Sequence, residues 1–331
     1  MRAAVMTGYG GNEVVEVRDV PKPVPSPGEV LVEVRAASVN PLDFKIRDGK
    51  LRLLRSYRFP LVMGNDLAGV VAEGGTRFRP GDRVYARLDK TRIGAFAEYA
   101  VVREEDLARA PSGLSFAEAA SLPLAGLTAW QALFEAAGLK FGQRVLIHAG
   151  AGGVGTLAIQ LAKSEEIQVA ATASGAGLDL VRRLGADVVI DYRNEKFEEK
   201  VRDYDAVLDS VGGETLERSF AVLKKGGIVV SIAGPPEEGT AQDMGAGLLI
   251  RALFFFLSRK VRRLARRHGA RYRYIFMKPS GEQLARLAGL VEEGRLKPVI
   301  DRIFPLEQAK EALAYVETGR AKGKVVIALR P

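Results

Sequence analysis

The pattern of hydrophobic and polar positions changes its period along the chain. Up to about residue 122, short runs of β-branched residues partly alternate with charged ones, as in 14–17 and 30–34. Such alternation is typical of half-buried strands. From Arg144 onwards, short apolar runs alternate with helical stretches, and alternation at this spacing predicts a parallel sheet with right-handed crossovers.

The predicted elements of this second region follow each other regularly. Its strands are 145–148, 169–172, 188–190, 206–208 and 228–231, and its helices lie near 154–164, 178–184 and 214–223. Before it, Ser115 with Glu118 three residues later predicts a capped helix start. After about residue 280 the pattern predicts two helices, 281–293 and 307–317, and a last strand over 324–329.

A glycine-rich turn, Gly150-Ala151-Gly152-Gly153-Val154-Gly155, joins the first of these strands to the helix after it. A glycine pattern is a specific signal when it lies between a strand and a helix of a repeating β/α segment. The first glycine permits the tight turn, the second lets the backbone approach a pyrophosphate, and the third lets the helix pack on the strand. The turn therefore predicts a dinucleotide site at the helix start, the alternative being a turn without a ligand.

The end of the next strand indicates which dinucleotide is bound. NAD-binding folds place an acidic residue there to hold the ribose hydroxyls. Here the strand ends in Ala173-Ser174-Gly175 and has no carboxylate. A small hydroxyl leaves room for a 2′-phosphate, which Arg182, Arg183 or Arg193 could neutralise. This favours NADPH over NADH, unless Ser174 merely caps a turn.

Composition excludes several kinds of site. The chain has no cysteine and two histidines, His148 and His268, so disulfides, thiolate zinc sites and a cysteine nucleophile are excluded. A metal site would consist almost wholly of carboxylates, and we predict no metal. The first residues read directly into a strand and lack signal-peptide features. No apolar run has the length of a membrane span, so we expect a cytoplasmic protein.

Several motifs resemble one family from end to end. The chain is similar to the zinc-independent quinone oxidoreductase and enone reductase branch of the medium-chain dehydrogenase/reductase superfamily. Besides the glycine turn, the motifs that carry the resemblance are Pro27-Gly28-Glu29-Val30, Ser38-Val39-Asn40-Pro41-Leu42-Asp43, Gly64-Asn65-Asp66-Leu67-Ala68-Gly69, Gly81-Asp82-Arg83-Val84, Gly94-Ala95-Phe96-Ala97-Glu98-Tyr99, Leu127-Thr128-Ala129-Trp130, Leu184-Gly185-Ala186-Asp187, Ile190-Asp191-Tyr192, Asp209-Ser210-Val211-Gly212-Gly213 and Gly323-Lys324-Val325-Val326. Zinc-dependent relatives have a cysteine near the Asn40 position and Gly-His-Glu where this chain has Gly64-Asn65-Asp66.

The resemblance implies an α/β fold with two domains. A GroES-like β-rich catalytic domain would span 1–122 and be completed by 280–331. A Rossmann domain with a doubly wound parallel sheet would span 123–279.

The resemblance also implies roles for single residues. Ala151, Gly152, Gly153 and Val154 would lie at the pyrophosphate, and Ser174 and Tyr192 near the adenosine 2′-phosphate. Thr128 and Asn40 would border the nicotinamide and its ribose. Asp209, Ser210, Val211, Ala233 and Gly234 would line the same half of the cofactor, and Lys324 would reach towards it from the tail. For Asn40 and Asp43 the alternative is loop capping, since both residue types favour turns. For Thr128 and Tyr192 it is simple packing.

We predict hydride transfer from NADPH to a quinone or an α,β-unsaturated carbonyl. Without zinc, the developing oxyanion needs hydrogen-bond donors, for which the candidates are Asn40, Lys50, Tyr57 or a backbone amide. Many members of the resembled family carry a tyrosine just after the glycine that matches Gly49, whereas this chain has Lys50 and Leu51. This departure keeps a second class open, a non-catalytic NADPH-binding sensor or structural relative.

The basic character of the chain belongs to one segment. The net charge is +9, and residues 251–278 contain ten Lys and Arg and no Asp or Glu. Residues 248–268 read as a helix that is apolar at its start and basic at its end. The apolar part could pack near the substrate mouth while the arginines coat a solvated face, or 251–273 could contact an anionic membrane. Nucleic-acid binding has the charge but no recognised motif, and we predict none.

Residues 272–277 have strand character. In the resembled family the last strand of the cofactor domain pairs with its twofold mate, which implies a homodimer.

Overall fold

Strands and helices alternate along residues 1–329, which are the residues that this computed structural model describes. In chain order the strands are β1 (Arg2–Met6), β2 (Val15–Asp19), β3 (Glu29–Val39), β4 (Leu61–Val62), β5 (Asp66–Glu73), β6 (Arg83–Arg87), β7 (Tyr99–Arg103), β8 (Leu107–Arg109), β9 (Arg144–Ile147), β10 (Gln168–Ala173), β11 (Val188–Asp191), β12 (Tyr204–Asp209), β13 (Leu223–Ser231), β14 (Arg271–Tyr274), β15 (Ile300–Pro305) and β16 (Lys324–Ala328). The α-helices are α1 (Pro41–Arg47), α2 (Phe116–Ala120), α3 (Pro123–Trp130), α4 (Gly153–Ser164), α5 (Gly177–Arg183), α6 (Phe197–Lys200), α7 (Gly213–Ser219), α8 (Glu238–Asp243), α9 (Leu248–Leu257), α10 (Arg259–Arg267), α11 (Gly281–Glu292) and α12 (Ala309–Glu317).

These elements form two compact units. The first comprises Met1–Leu127 and the tail from Lys278, and the second is Thr128–Met277. The chain therefore returns to the first unit at Lys278, before α11 begins. The sequence-based division places one boundary five residues earlier, after 122, and the other two residues later, after 279.

The first unit consists mainly of antiparallel strands. Its larger sheet has the order β15-β16-β3-β5-β6-β8, with β7 also paired to β3, and a smaller sheet has the order β2-β1-β4. Large side chains such as Met6, Leu67 and Phe96 are fully buried in its core. Ser115 caps α2, since its hydroxyl accepts from Glu118 N, as the sequence predicted.

The register of three strands brings distant residues of the first unit together. In the pairing of β3 with β5, Ser38 lies opposite Asp66. In the pairing of β16 with β3, Val325 lies opposite Val39. Asn40 directly follows β3, and Lys324 is the first residue of β16. The ends of these strands therefore place Asn40, Asp66 and Lys324 side by side.

The second unit contains a parallel sheet in the order β11-β10-β9-β12-β13-β14. Every neighbouring pair along that order is parallel. Strand β9 is completely buried at Val145, Leu146 and Ile147, as expected of strands covered on both faces. The predicted α/β fold is confirmed. The helix predicted over 214–223 ends earlier, because a 3-10 turn at Phe220–Val222 follows α7.

The segment predicted as one apolar-to-basic helix over 248–268 is divided at Ser258 into α9 and α10. Of the large apolar side chains in α9, Phe254 is buried, whereas Leu248, Leu249, Leu253, Phe255, Phe256 and Leu257 are exposed. Within residues 1–329, no helix has the length and apolar character needed to cross a membrane.

Candidate cofactor and catalytic sites

The glycine turn between β9 and α4 is held by both neighbouring strands. Gly150 N donates to Thr172 O at 2.8 Å, and His148 N donates to Leu208 O at 3.0 Å. A Cβ built on Gly155 would lie 2.4 Å from Ala149 O, far inside contact distance. The start of α4 therefore approaches the turn as closely as only glycine allows.

Gly152 is the N-cap of α4 and offers no side chain to the first amide groups of that helix. Its backbone is extended, with φ −82° and ψ 174°. A Cβ built there would meet Ala149 O at 3.3 Å and no other atom within 4 Å. A 12-residue helix that begins without a side-chain cap presents unpaired N–H groups, which suit a pyrophosphate. The predicted residues Ala151, Gly152, Gly153 and Val154 all lie at this helix start.

A buried carboxylate, Asp209, organises the loops that follow β12 and β13. Its Oδ1 accepts from Val211 N at 3.0 Å and Gly212 N at 2.8 Å, and its Oδ2 accepts from Ser231 Oγ at 2.6 Å. Ser231 Oγ in turn accepts from Gly234 N at 2.7 Å. The Asp209 carboxylate therefore holds these two loops by hydrogen bonds. Through it, the predicted cofactor residues Asp209, Ser210, Val211, Ala233 and Gly234 come together.

The end of β10 carries the predicted adenosine-phosphate residues. Ser174 is buried, and its hydroxyl donates to the hydroxyl of Tyr192 at 2.9 Å, while Tyr192 itself is more than half exposed. The nearest acid along the chain, Asp179, is engaged by Arg182 at 2.8 Å. Ser174 and Tyr192 therefore form one hydroxyl pair at this strand end, and their predicted place beside the adenosine 2′-phosphate stays a prediction.

His148 lies at the end of β9 and is fully buried. Its ring nitrogens face Thr172 Oγ1 at 3.2 Å and Ser219 Oγ at 3.0 Å. Burial lowers the pKa of His148 to about 4, so the ring is neutral at physiological pH. Its hydrogen bonds join β9 to β10 and α7, which is a structural role.

The first unit contains a buried polar cluster of Ser38, Asn40, Asp43, Asn65, Asp66 and Lys324. Asn40 Nδ2 donates to Asp66 Oδ2 at 2.9 Å and to Ser38 O at 3.1 Å. Lys324 Nζ donates to Asn40 Oδ1 and lies 3.8 Å from Asp66 Oδ2. All the hydrogen-bonding groups of the Asn40 amide are therefore engaged inside the cluster.

A second carboxylate of the cluster, Asp43, is bonded differently. Asp43 accepts from Asn40 N at 2.7 Å and from Asn65 Nδ2 at 2.8 Å, so it also caps the start of α1. Asn65 Oδ1 has no hydrogen-bond partner among the described residues. Burial raises the pKa of Asp43 to about 7 and also raises the pKa of Asp66, whereas burial lowers the pKa of Lys324. Asp43 can therefore carry a proton near neutral pH.

The other predicted oxyanion donors lie outside this cluster. Lys50 is exposed and pairs with Asp48 at 2.8 Å. Tyr57 is partly buried, its hydroxyl donates to Lys90 O at 3.0 Å, and burial raises its pKa. Thr128, predicted at the nicotinamide, is buried in α3.

Sequence reasoning did not assign Ser38, Asn65, Asp66 or Ser231 to a site. The first three belong to the buried polar cluster and Ser231 to the Asp209 loops. The available signal was the motif Gly64-Asn65-Asp66, which follows a strand boundary with two polar residues before an apolar run.

Comparison with known proteins assigns the family. Residues 26–112 match the family described as alcohol dehydrogenase GroES-like domain, and residues 184–327 match the family described as zinc-binding dehydrogenase. The human mitochondrial NAD(P)H oxidoreductase RTN4IP1 is 37% identical over 99% of this chain and 89% of its own length. The chain belongs to the quinone oxidoreductase and enone reductase branch of the medium-chain dehydrogenases/reductases.

Two further members of this branch are similar over nearly the whole chain. The chloroplastic NADPH-dependent alkenal/one oxidoreductase of Arabidopsis thaliana is 36% identical over 99% of this chain and 79% of its own length. The structure of the quinone oxidoreductase from Coxiella burnetii has a TM-score of 0.86 and 34% identity, and the match covers 100% of this chain and 99% of that one.

The zinc named in one family description does not fit the residues of this medium-chain reductase. Where the resemblance places a cysteine and a Gly-His-Glu motif in zinc-dependent relatives, this chain has Asn40 and Gly64-Asn65-Asp66, and the ammonium of Lys324 lies against Asn40 and Asp66. Among residues 1–329, no group of three or more His, Cys, Asp or Glu could hold a metal ion. An ammonium placed among these side chains repels a second cation.

Proposed function

We propose that this protein is a zinc-free, NADPH-dependent oxidoreductase that transfers hydride to a quinone or an α,β-unsaturated carbonyl compound. The observation that carries the proposal is the uncapped start of α4 at Gly152, preceded by a turn that Gly155 packs against without room for a side chain. Relatives named as quinone, alkenal/one and NAD(P)H oxidoreductases support the same reaction class.

Different residues of the second unit bind different parts of NADPH. The unpaired amide groups of Gly153 and Val154 hold the pyrophosphate, since an uncapped helix start favours negative charge, and the extended Gly152, whose own N–H donates to Ala149 O at 2.9 Å, leaves the approach open. Ser174 and Tyr192 hold the 2′-phosphate, and the absence of a carboxylate at the Ser174 position removes a repulsion. When bound, NADPH supplies the hydride.

The cost of exchanging hydrogen bonds ranks the candidate oxyanion donors of the first unit. Asn40 would have to give up a buried bond to Asp66 or Ser38, which costs about 1–3 kcal/mol. Lys50 would give up an exposed ion pair worth about 0–1 kcal/mol, but its charge is already in water. Tyr57 gives up one bond to a backbone carbonyl and is partly buried, so we assign the donor role to Tyr57.

Asn40 then serves as a positioning residue. Lys324, Asp66 and Ser38 fix its amide in one orientation, and an amide so fixed presents a constant surface to a bound ligand. The proton that completes reduction of the acceptor comes from solvent.

The reaction is tested by mixing the protein with NADPH or NADH and a panel of quinones, alkenals and enones, and following the loss of absorbance at the nicotinamide band. We expect oxidation of NADPH by at least one acceptor class, with NADH used more weakly. Binding of NADPH without oxidation by any acceptor would instead favour a non-catalytic cofactor-binding sensor. Tyr57→Phe should lower kcat while NADPH affinity stays unchanged.

We also propose a homodimer formed through β14. Strand β14 is the last strand of the parallel sheet and pairs with β13 on one edge. On its other edge Tyr274 O accepts from Thr240 Oγ1 at 2.8 Å, so pairing with the same strand of a second copy would use the remaining main-chain groups of that edge. Light scattering should give twice the mass of one chain, and a monomeric mass at micromolar concentration would contradict the dimer. A cytoplasmic location stays a prediction.

A further inference from the structure

Helices α9 and α10 each turn one side towards solvent, and they meet at Ser258. The helical backbone is interrupted at Ser258, which has φ −85° and ψ 0°, although Ser258 N donates to Phe254 O at 3.0 Å and Arg262 N donates to Ser258 O at 2.9 Å. Phe254 and Ser258 are buried four residues apart, as are Val261 and Ala265, so each helix has a buried side and an exposed one. The two exposed sides adjoin where Arg262 of α10 lies over the Phe255 ring of α9.

The solvent-facing side of α9 carries no polar side chain. Leu248, Leu249 and Phe256 are 78%, 88% and 67% exposed, and Leu253, Phe255 and Leu257 are also exposed. These are six of the fourteen large apolar side chains exposed among residues 1–329, on one ten-residue helix. The one charged residue of the helix, Arg251, is partly buried and pairs with Glu238 at 3.2 Å. Clustered apolar exposure of this kind marks a contact surface.

The solvent-facing side of α10 is entirely basic. Its exposed residues are Arg259, Lys260, Arg263, Arg266 and Arg267. Lys260 pairs with Glu217, whereas the four arginines form no ion pair within residues 1–329. Between the two halves, the Arg262 guanidinium lies over the Phe255 ring at 4.1 Å from its centroid. We call this surface, formed by the exposed sides of α9 and α10, the apolar-basic face.

We propose that the apolar-basic face docks on a membrane surface that contains anionic lipids. The leucines and phenylalanines of α9 enter the boundary between headgroups and acyl chains, and the arginines of α10 bind lipid phosphates at headgroup level. Basic residues beside an inserted apolar face strengthen the attraction to anionic lipids, because the headgroup layer carries the opposite charge.

Charge and apolarity together favour this occupant over the others. A second copy docked symmetrically through this face would bring α10 towards its own like charges, and residues 251–278 offer no carboxylate to compensate. A nucleic acid would pair the arginines but leave the exposed leucines and phenylalanines of α9 in water. Membrane docking does not depend on which acceptor the enzyme reduces, since none of these residues belongs to the proposed cofactor site.

The test is flotation of the full-length protein with vesicles of neutral phosphatidylcholine alone, or of phosphatidylcholine mixed with phosphatidylglycerol, at low and high salt. We expect binding to the mixed vesicles at low salt and at least tenfold weaker binding to neutral ones. Leu249→Gln with Phe256→Gln should weaken binding about tenfold or more at both salt concentrations, because burial of apolar area is not screened. Arg263→Gln with Arg267→Gln should weaken it about tenfold at low salt only.

Two matched controls change the same residue types elsewhere. Phe141→Gln with Ile303→Gln removes two exposed apolar side chains, and Arg52→Gln with Arg58→Gln removes two exposed positive charges, so both should bind like the wild type. All replaced side chains are exposed, and circular dichroism with thermal unfolding verifies that each variant is folded.

Three results would overturn the proposal. One is no flotation with phosphatidylglycerol vesicles at low salt, and another is equal binding by the wild type and both α9 and α10 variants. The third is a lower solution mass of the Leu249→Gln, Phe256→Gln variant without vesicles, which would make the face a subunit interface. Tight binding to duplex DNA that only the arginine variant loses, without flotation, would identify a nucleic-acid surface instead.

Discussion

Alanine at Gly152 and at Gly155 should impair the protein in two different ways, although both glycines lie in one turn. A Cβ on Gly155 would lie 2.4 Å from Ala149 O, 2.7 Å from Gly150 Cα and 2.8 Å from Gly150 C. All three are backbone atoms, so no side chain can move aside. Reaching an ordinary contact distance requires a backbone shift of about 1 Å, and overpacking of this kind costs about 1–3 kcal/mol. Gly155→Ala should therefore lower the unfolding temperature by several degrees.

Gly152→Ala should leave the fold intact but weaken NADPH binding. The φ of −82° and ψ of 174° suit alanine, and the added Cβ meets only Ala149 O at 3.3 Å, so stability should change by less than about 0.5 kcal/mol. The methyl group would occupy the open helix start where the pyrophosphate must approach the amides. Loss of one charge-assisted hydrogen bond costs about 1.5–3 kcal/mol, which corresponds to about 10- to 100-fold weaker binding.

The assay combines thermal unfolding with titration of NADPH followed by its fluorescence. Gly289→Ala is the matched control, since this glycine of α11 has nothing within 4 Å of a built Cβ and should bind NADPH like the wild type. Wild-type NADPH affinity in Gly152→Ala would refute a pyrophosphate at this turn. An unchanged unfolding temperature in Gly155→Ala would refute the close approach.

Three further predictions concern the buried polar cluster and the choice of cofactor. Because the pKa of Asp43 is raised to about 7 from 3.8, its stabilising contribution is complete below about pH 4 and is lost as the pH rises through 7. Asp43→Asn should therefore flatten the fall in unfolding free energy between pH 4 and 8, measured by urea titration, and an unchanged slope would contradict this. Lys324→Met should lower the free energy of unfolding by about 3 kcal/mol, because it leaves the buried Asp66 without its ammonium. The double variant with Asp66→Asn should lose less than the sum of the two single losses, by about 1 kcal/mol or more, and full additivity would show that the two residues are not coupled. Ser174→Asp should raise the KM for NADPH at least about tenfold relative to that for NADH, and an unchanged ratio would place the 2′-phosphate elsewhere.

The elements of the second unit could be predicted because the information is local. Strands buried on both faces appear as continuous apolar runs, as at Val145 to Ile147. The glycine turn contains, within six residues, the glycines needed for the tight turn, for the approach of the pyrophosphate and for the packing of helix on strand. The resemblance placed both Ser174 and Tyr192 near the adenosine 2′-phosphate, but the hydrogen bond between their hydroxyls depends on the pairing of β10 with β11 and is seen only in the structure.

The buried polar cluster could not be predicted from local patterns. Asn40 and Lys324 are separated by 284 positions in the chain and meet only because β16 pairs with β3. Strand register therefore decides that the Asn40 amide is bonded to Asp66 and Lys324, and hence that it is a poor oxyanion donor.

The exposed side of α9 was also hidden from the sequence. Ten residues that are apolar except for Arg251 indicate a helix but not which side faces water, and packing of the apolar part near the substrate mouth was the simpler interpretation. The structure instead buries Phe254 and exposes Leu249 and Phe256.

The central claim is that this protein passes the hydride of NADPH to a quinone or an enone. The most direct test is to incubate it with NADPH carrying deuterium at the transferable position of C4, together with the acceptors of the panel, and to examine the products by mass spectrometry. The account predicts that NADPH is consumed and that a reduced enone gains one deuterium on carbon. Saturable NADPH binding without consumption by any quinone or enone, or a reduced enone without deuterium, would contradict it.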